Sequence, residues 1–176
     1  MATVLKTVVP PKGTVSSNLT PTAKSKMFYL VLPDIRSCYN VGSIFRTADA
    51  FGVDKIFLCG YTPTPDKNPK IHKVSLGAEH NVPWEHHAHA WRIIEQLKHA
   101  GVLIIAAEQT KNATDYRAWK PALPLALIVG NEVGGISPAL LKRADHVIEI
   151  PMHGKKESLN VSVAAGILAA HVRVLV

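Results

Sequence analysis

Cysteine is scarce: of 176 residues only Cys38 and Cys59 are cysteine, both in or beside apolar segments and without CxxC spacing. That pattern predicts a reduced, cytoplasmic setting rather than a disulfide framework. No stretch approaches the roughly 18 apolar residues of a membrane span. The N-terminus develops no apolar signal core, since Lys6 leads into Thr7-Val8-Val9-Pro10-Pro11. Acidic residues are absent from residues 1–26, a Pro-, Ser-, Thr- and Lys-rich stretch without sustained period. It reads as a basic, flexible N-terminal arm.

The remaining residues, 27–176, read as a single domain without internal repeats. The 47% apolar share is ample for a full core. Lys6, Lys12, Lys24 and Lys26 are four of the 20 basic residues, so the body keeps 16 against 13 acids, a net +3 of the total +7. A basic arm on a mildly basic body fits a polyanion partner, because phosphate contacts supply much of nucleic-acid affinity. It equally fits a solubilising tail, and charge alone leaves both open.

Strand-like and helix-like stretches alternate from Met27 onward. Phe28–Leu32, Ile56–Cys59, Val102–Ala106, Leu125–Val129 and Val147–Ile150 read as buried strands. Helices are predicted over Val41–Phe51, Ala88–His99, a short segment from Ser137-Pro138 to Arg143, and Ser158–Val174. In the second of these, Trp91, Ile94, Leu97 and Lys98 share one face. Such alternation implies an α/β fold with a mostly parallel sheet flanked by helices.

Ligands of open parallel sheets bind at the carboxyl ends of strands. Three loops there carry unusual residues. In Asn40-Val41-Gly42-Ser43-Ile44-Phe45-Arg46, Asn40 suits a helix N-cap, Gly42 permits a close approach, and Arg46 is free to face a cleft. Gly130-Asn131-Glu132-Val133-Gly134-Gly135-Ile136-Ser137 joins a strand to a capped helix. No Lys-Ser/Thr follows its glycines and GxGxxG is missing, which excludes a P-loop and a Rossmann fingerprint. In Ile150-Pro151-Met152-His153-Gly154, followed by Ser158-Leu159-Asn160-Val161-Ser162, Ser158 reads as a helix start. Asn160 is an amide that a buried first turn would leave needing partners.

Taken in order, Asn-x-Gly-x-x-x-Arg, Gly-Asn-Glu and Ile-Pro-Met…Ser-Leu-Asn-Val-Ser resemble the three motifs of the SpoU/TrmH branch of SPOUT methyltransferases. The resemblance spans roughly Phe28 to His171. It implies a deep C-terminal trefoil knot, a homodimer with its pockets near the subunit interface, and S-adenosylmethionine bound largely through backbone groups. By that resemblance Ala107, Gly130, Asn131, Ile150, Met152 and Leu159 line the cofactor site. Arg46 activates the ribose, and Asn40, Glu132, Ser158 and Asn160 shape the site. Val133 departs from the pattern and alters loop shape rather than chemistry.

The implied reaction is methyl transfer to a ribose 2′-hydroxyl of RNA, tRNA favoured over rRNA. A guanidinium holds its proton far above neutral pH, so Arg46 suits phosphate anchoring and alkoxide stabilisation better than general-base work. Two other functions share this scaffold: a catalytically silent RNA-binding protein, and a base-methylating SPOUT enzyme. His80, His86, His87 and His89 match no standard zinc spacing, and read as solvent-facing groups around Trp84, so no metal is expected. Trp84, Trp91 and Trp119 suit core or dimer contacts better than base stacking, whereas Lys155 and Lys156 are the better RNA contacts.

Overall fold

A computed structural model describes residues 26–176. The expected arm, residues 1–26, lies outside the described residues except for Lys26. Strands β1 (Phe28–Pro33), β2 (Lys55–Cys59), β3 (Trp84–His87), β4 (Leu103–Ala107), β5 (Thr114–Asp115), β6 (Leu125–Val129) and β7 (His146–Glu149) form one sheet in the order β3-β2-β1-β6-β4-β7-β5. Every neighbouring pair runs parallel. The helices are α1 (Cys38–Ala50), α2 (Pro69–Ser75), α3 (Ala78–Asn81), α4 (Ala90–His99), α5 (Pro138–Leu141) and α6 (Val161–Leu175).

The period-two alternation of a strand explains why both faces are covered. Phe28, Leu30 and Leu32 of β1 point into one core with Ile44 and Phe45 of α1 and Leu168 of α6. Tyr29 and Val31 point into the other, with Ile93, Ile94 and Leu97 of α4. Each such fully buried side chain contributes about 1.5–3 kcal/mol relative to exposure. Two of the small residues of α6, Ala165 and Ala169, are fully buried, whereas a Cβ at Gly166 would make only ordinary contact with Thr47 of α1.

Several local expectations are corrected. Ser37, not Asn40, caps α1, its hydroxyl accepting from the Asn40 N–H at 3.2 Å. The last helix starts at Val161 with Asn160 as its cap, not at Ser158, and Asn160 is exposed rather than buried. On α4 the buried stripe is Ala90, Ile93, Ile94 and Leu97, which leaves Trp91 43% exposed. Trp84 and Trp119 do pack against the core, half-buried. Of the histidines around Trp84, His80 lies in α3 and His89 precedes α4, while His86 and His87 belong to edge strand β3, where His86 meets the Gly60 carbonyl at 2.9 Å and His87 the Glu85 carboxylate at 3.2 Å. Both cysteines are free, and burial, reinforced by the Asp34 charge, pushes the Cys59 thiol up to about 12. Among the described residues, no helix is long and apolar enough to cross a membrane.

Asp145 ties three elements together just before β7. Its carboxylate accepts from Lys98 Nζ at 2.8 Å and from the Ile104 N–H at 2.8 Å. Burial alone would raise its pKa, but these bonds from Lys98 and Ile104 hold it below the usual carboxylate range. The lowered pKa means this contribution is present above the unfolded value of about 3.9 and is lost as pH falls through the folded one. Asp145→Asn should therefore cost about 1–3 kcal/mol near neutral pH, measured by urea unfolding. The difference from the native chain should vanish in strong acid, and an undiminished difference there would contradict this origin.

Candidate active site

The carboxyl ends of β4, β6 and β7, with the start of α6, open onto one cavity of about 380 Å³. Ala107, Gly130, Asn131, Ile150, Met152 and Leu159 all line it, as do Glu132 and Ser158. These eight predicted positions come from the connections after β4, β6 and β7; Asn40, Arg46 and Asn160 are not among the lining residues.

Asn131 organises the glycine-rich loop. Its Oδ1 accepts from the Val133 N–H at 2.7 Å and the Gly134 N–H at 3.0 Å, closing the turn on itself. Its Nδ2 donates to the Asp34 carbonyl and the Tyr61 hydroxyl, each at 2.6 Å, which pins the turn to the end of β1. Backbone bonds between Asn131 and Gly135 complete the loop, with Gly135 in the left-handed region at φ 61°. Val133 is exposed at the tip and donates only its backbone, so valine here leaves the loop's polar contacts intact.

Asn40, Glu132 and Asn160 form a directed chain of side-chain hydrogen bonds. Asn40 Nδ2 donates to Glu132 Oε1 at 2.6 Å, and Asn160 Nδ2 donates to Asn40 Oδ1 at 3.0 Å. Asn160 Oδ1 in turn accepts from the Ser162 N–H at 2.9 Å and from its hydroxyl at 2.6 Å. Because a carboxylate only accepts, the orientation of each amide is fixed along the series. Capping by Ser37 is what frees the Asn40 side chain for this role.

Arg46 stands apart. It is exposed and does not line the cavity. Six residues of helix place it about 9 Å along the axis from Asn40 and on another side. The sequence also missed Glu108, whose Oε2 accepts from the Ile136 N–H at 2.7 Å and braces the glycine loop from the end of β4. The strand-end rule that singled out Ala107 would have reached it one residue later. With Glu132, Glu149 and Glu157 it gives the cavity four carboxylates, and among the described residues no lysine or arginine lines the wall. That balance suits a cationic ligand.

Residues 27–170 match the model of the SpoU rRNA Methylase family. The chain belongs to the SpoU family. A curated SpoU-type relative, assigned to the TrmH family of tRNA/rRNA methyltransferases in Bacillus subtilis, is 34% identical over 146 residues, covering 80% of this chain and 56% of its own length. The chain thus spans little more than half of that relative. An AdoMet-bound rRNA methyltransferase from Sinorhizobium meliloti superposes with TM-score 0.78 at 31% identity, covering 84% of this chain and 56% of that one. A second structure, concerned with 2-OH methylation of C/U34 on tRNA, gives TM-score 0.75 at 26% identity and covers 84% of this chain and 94% of its own.

The close packing inside the SpoU loop can be tested directly. A Cβ on Gly130 would meet the Gly135 carbonyl carbon at 2.6 Å and the Ile136 nitrogen at 2.7 Å, both backbone. Gly130→Ala should cost about 1–3 kcal/mol by overpacking and speed hydrogen exchange across residues 130–136. Native stability with unchanged exchange would refute the packing.

Proposed function

We propose that this chain transfers the methyl group of S-adenosylmethionine to a ribose 2′-hydroxyl of RNA, with tRNA preferred to rRNA. The observation that carries the reading is the Glu132–Asn40–Asn160 chain at the mouth of an acid-lined cavity, which joins all three family motifs.

The residues present fit the cofactor. S-adenosylmethionine supplies, when bound, a methyl group on a cationic sulfur that a ribose oxygen can displace. Gly130, Asn131, Ile150, Met152, Leu159 and Ala107 would hold it, the glycine leaving a backbone cradle that a side chain would fill. The four carboxylates offset its positive charge. AdoMet in the Sinorhizobium relative supports the assignment.

The chain's own task is to orient the ribose, exclude water and manage one proton. Asn40, Glu132 and Asn160 act as a rigid unit that positions the nucleotide, with the exposed Ser158 hydroxyl available to the ribose at the cavity wall. Arg46 anchors a substrate phosphate and stabilises the developing alkoxide, and the proton leaves to phosphate or water. Standing outside its own chain's cavity, Arg46 meets the substrate at the rim or across a subunit interface, which supports a homodimer. A C-terminal trefoil knot belongs to the same reading. Its support is that β7 lies between β4 and β5, so the chain leaving β7 runs beside the 108–113 connection. The arm, residues 1–26, with Lys155 and Lys156, would meet RNA phosphate. The preference for tRNA rests on the tRNA-directed relative, almost all of which this chain covers.

Calorimetry with S-adenosylmethionine should give one site per chain, and absence of binding would favour a silent RNA-binding protein. Asn40→Ala and Asn160→Ala should each lower methyl transfer by about tenfold or more through lost orientation, with cofactor affinity nearly unchanged. Arg46→Lys should fail along with Arg46→Ala, because lysine lacks the planar fork. Full turnover by the lysine variant alone would overturn that role. Mapping 2′-O-methyl positions in total RNA with and without the gene should reveal one missing position in tRNA. A missing rRNA position would overturn the tRNA preference, and a missing base methylation would overturn the ribose assignment.

A further inference from the structure

Helices α2 and α3 are joined by a reversal of two residues, Leu76 at φ 52° and Gly77 at φ 95°, both in the left-handed region. This folds the start of α3 back against the end of α2. His72 and Ser75 from α2 therefore meet Glu79 and His80 from α3, far from the cavity-lining loops in sequence. The Glu79 side chain is only 4% exposed, while the imidazoles of His72 and His80 are 64% and 75% exposed.

We propose that His72, Glu79 and His80 form a binding site for a divalent transition-metal ion, zinc by its chemistry, on the outer face of the α2–α3 pair. The ligand atoms lie within 4.8 Å of one another. Two imidazole nitrogens and one carboxylate oxygen are a borderline donor set that suits zinc and leaves a fourth position for water. Ser75 Oγ donates to Glu79 Oε2 at 2.5 Å, fixing the carboxylate so that Oε1 faces both rings. This is the supporting bond that metal-binding carboxylates use.

One imidazole–carboxylate separation already matches a shared ion, and the other is a short hydrogen bond that an ion would replace. Bonds of about 2.0–2.1 Å at tetrahedral angles hold neighbouring donors about 3.4 Å apart. His80 Nε2 lies 3.6 Å from Glu79 Oε1, too long for a hydrogen bond and already close to that spacing. His72 Nδ1, at 2.5 Å, need only swing outward by about 1 Å, which its exposed ring permits. The four-histidine grouping read from the sequence does not supply this site; only His80 belongs to both.

The position gives the ion a structural consequence. A Cβ on Gly42 would meet the Ile71 carbonyl at 2.7 Å and Val74 Cβ at 2.9 Å, so α2 lies directly against α1, the helix of Asn40 and Arg46. An ion clamping α3 to α2 would stiffen that backing.

The test titrates Zn²⁺ into the chelator-stripped full chain by calorimetry, alongside His72→Ala/His80→Ala and His72→Gln/His80→Gln double variants. The substitutions also remove the His72–Glu79 hydrogen bond, so the effect of Zn²⁺ on each variant is read against that variant's own stripped form. We expect one ion bound by the native chain and affinity about tenfold or more lower in both variants. Zn²⁺ should raise the native melting temperature by a few degrees and Co²⁺ should give the visible bands of a tetrahedral site, both lost in the variants. No Zn²⁺ binding by the native chain, or equal binding by chain and variants, would overturn the site. Neither result bears on S-adenosylmethionine binding, which is read separately.

Discussion

Asn40 uses both ends of one amide, its NH₂ on the Glu132 carboxylate and its oxygen for the NH₂ of Asn160, so two partners 92 and 120 residues away in sequence are read by a single side chain. The bond to the carboxylate is charge-assisted, at about 1.5–3 kcal/mol, and the amide–amide bond contributes nearer 1 kcal/mol. Those sums are too small to bring distant loops together. The parallel sheet does that, by delivering the ends of β1, β6 and β7 to one edge. The amides then select one arrangement among the many the loops could adopt there. Glu108 and Asn131 play the same part for the glycine loop, each bracing it from a different strand end.

The long apolar strands and the amphipathic helices were legible because burial of both sheet faces leaves its period in the sequence. The α2–α3 corner, β3 and the two-residue β5 were not. These elements are short, polar or rich in histidine, and tertiary contact rather than local pattern sets them. Caps were misplaced by three and two residues for one reason: serine and asparagine satisfy helix amides about equally well. Ser37 and Asn40 compete for one end, Ser158 and Asn160 for the other, and only the packed structure says which side chain remains free. The cavity residues could be named because the motifs carry them. The remoteness of Arg46 from that cavity could not, since it depends on the helix phase once Ser37 has fixed the start.

Electrostatically the chain is divided. Its total charge is +7, yet the cavity wall carries four carboxylates and, among the described residues, no lysine or arginine. Such a wall holds a positively charged occupant more strongly than a neutral one of the same shape.

The placement of β7 between β4 and β5 carries a kinetic cost. Strands adjacent in the chain cannot pair with each other first, because a segment made some 30 residues later must occupy the space between them. Early closure of that gap would have to reopen, so productive assembly waits for β7. Until it docks, one edge of β4 is a bare row of backbone donors and acceptors, open to any other extended segment.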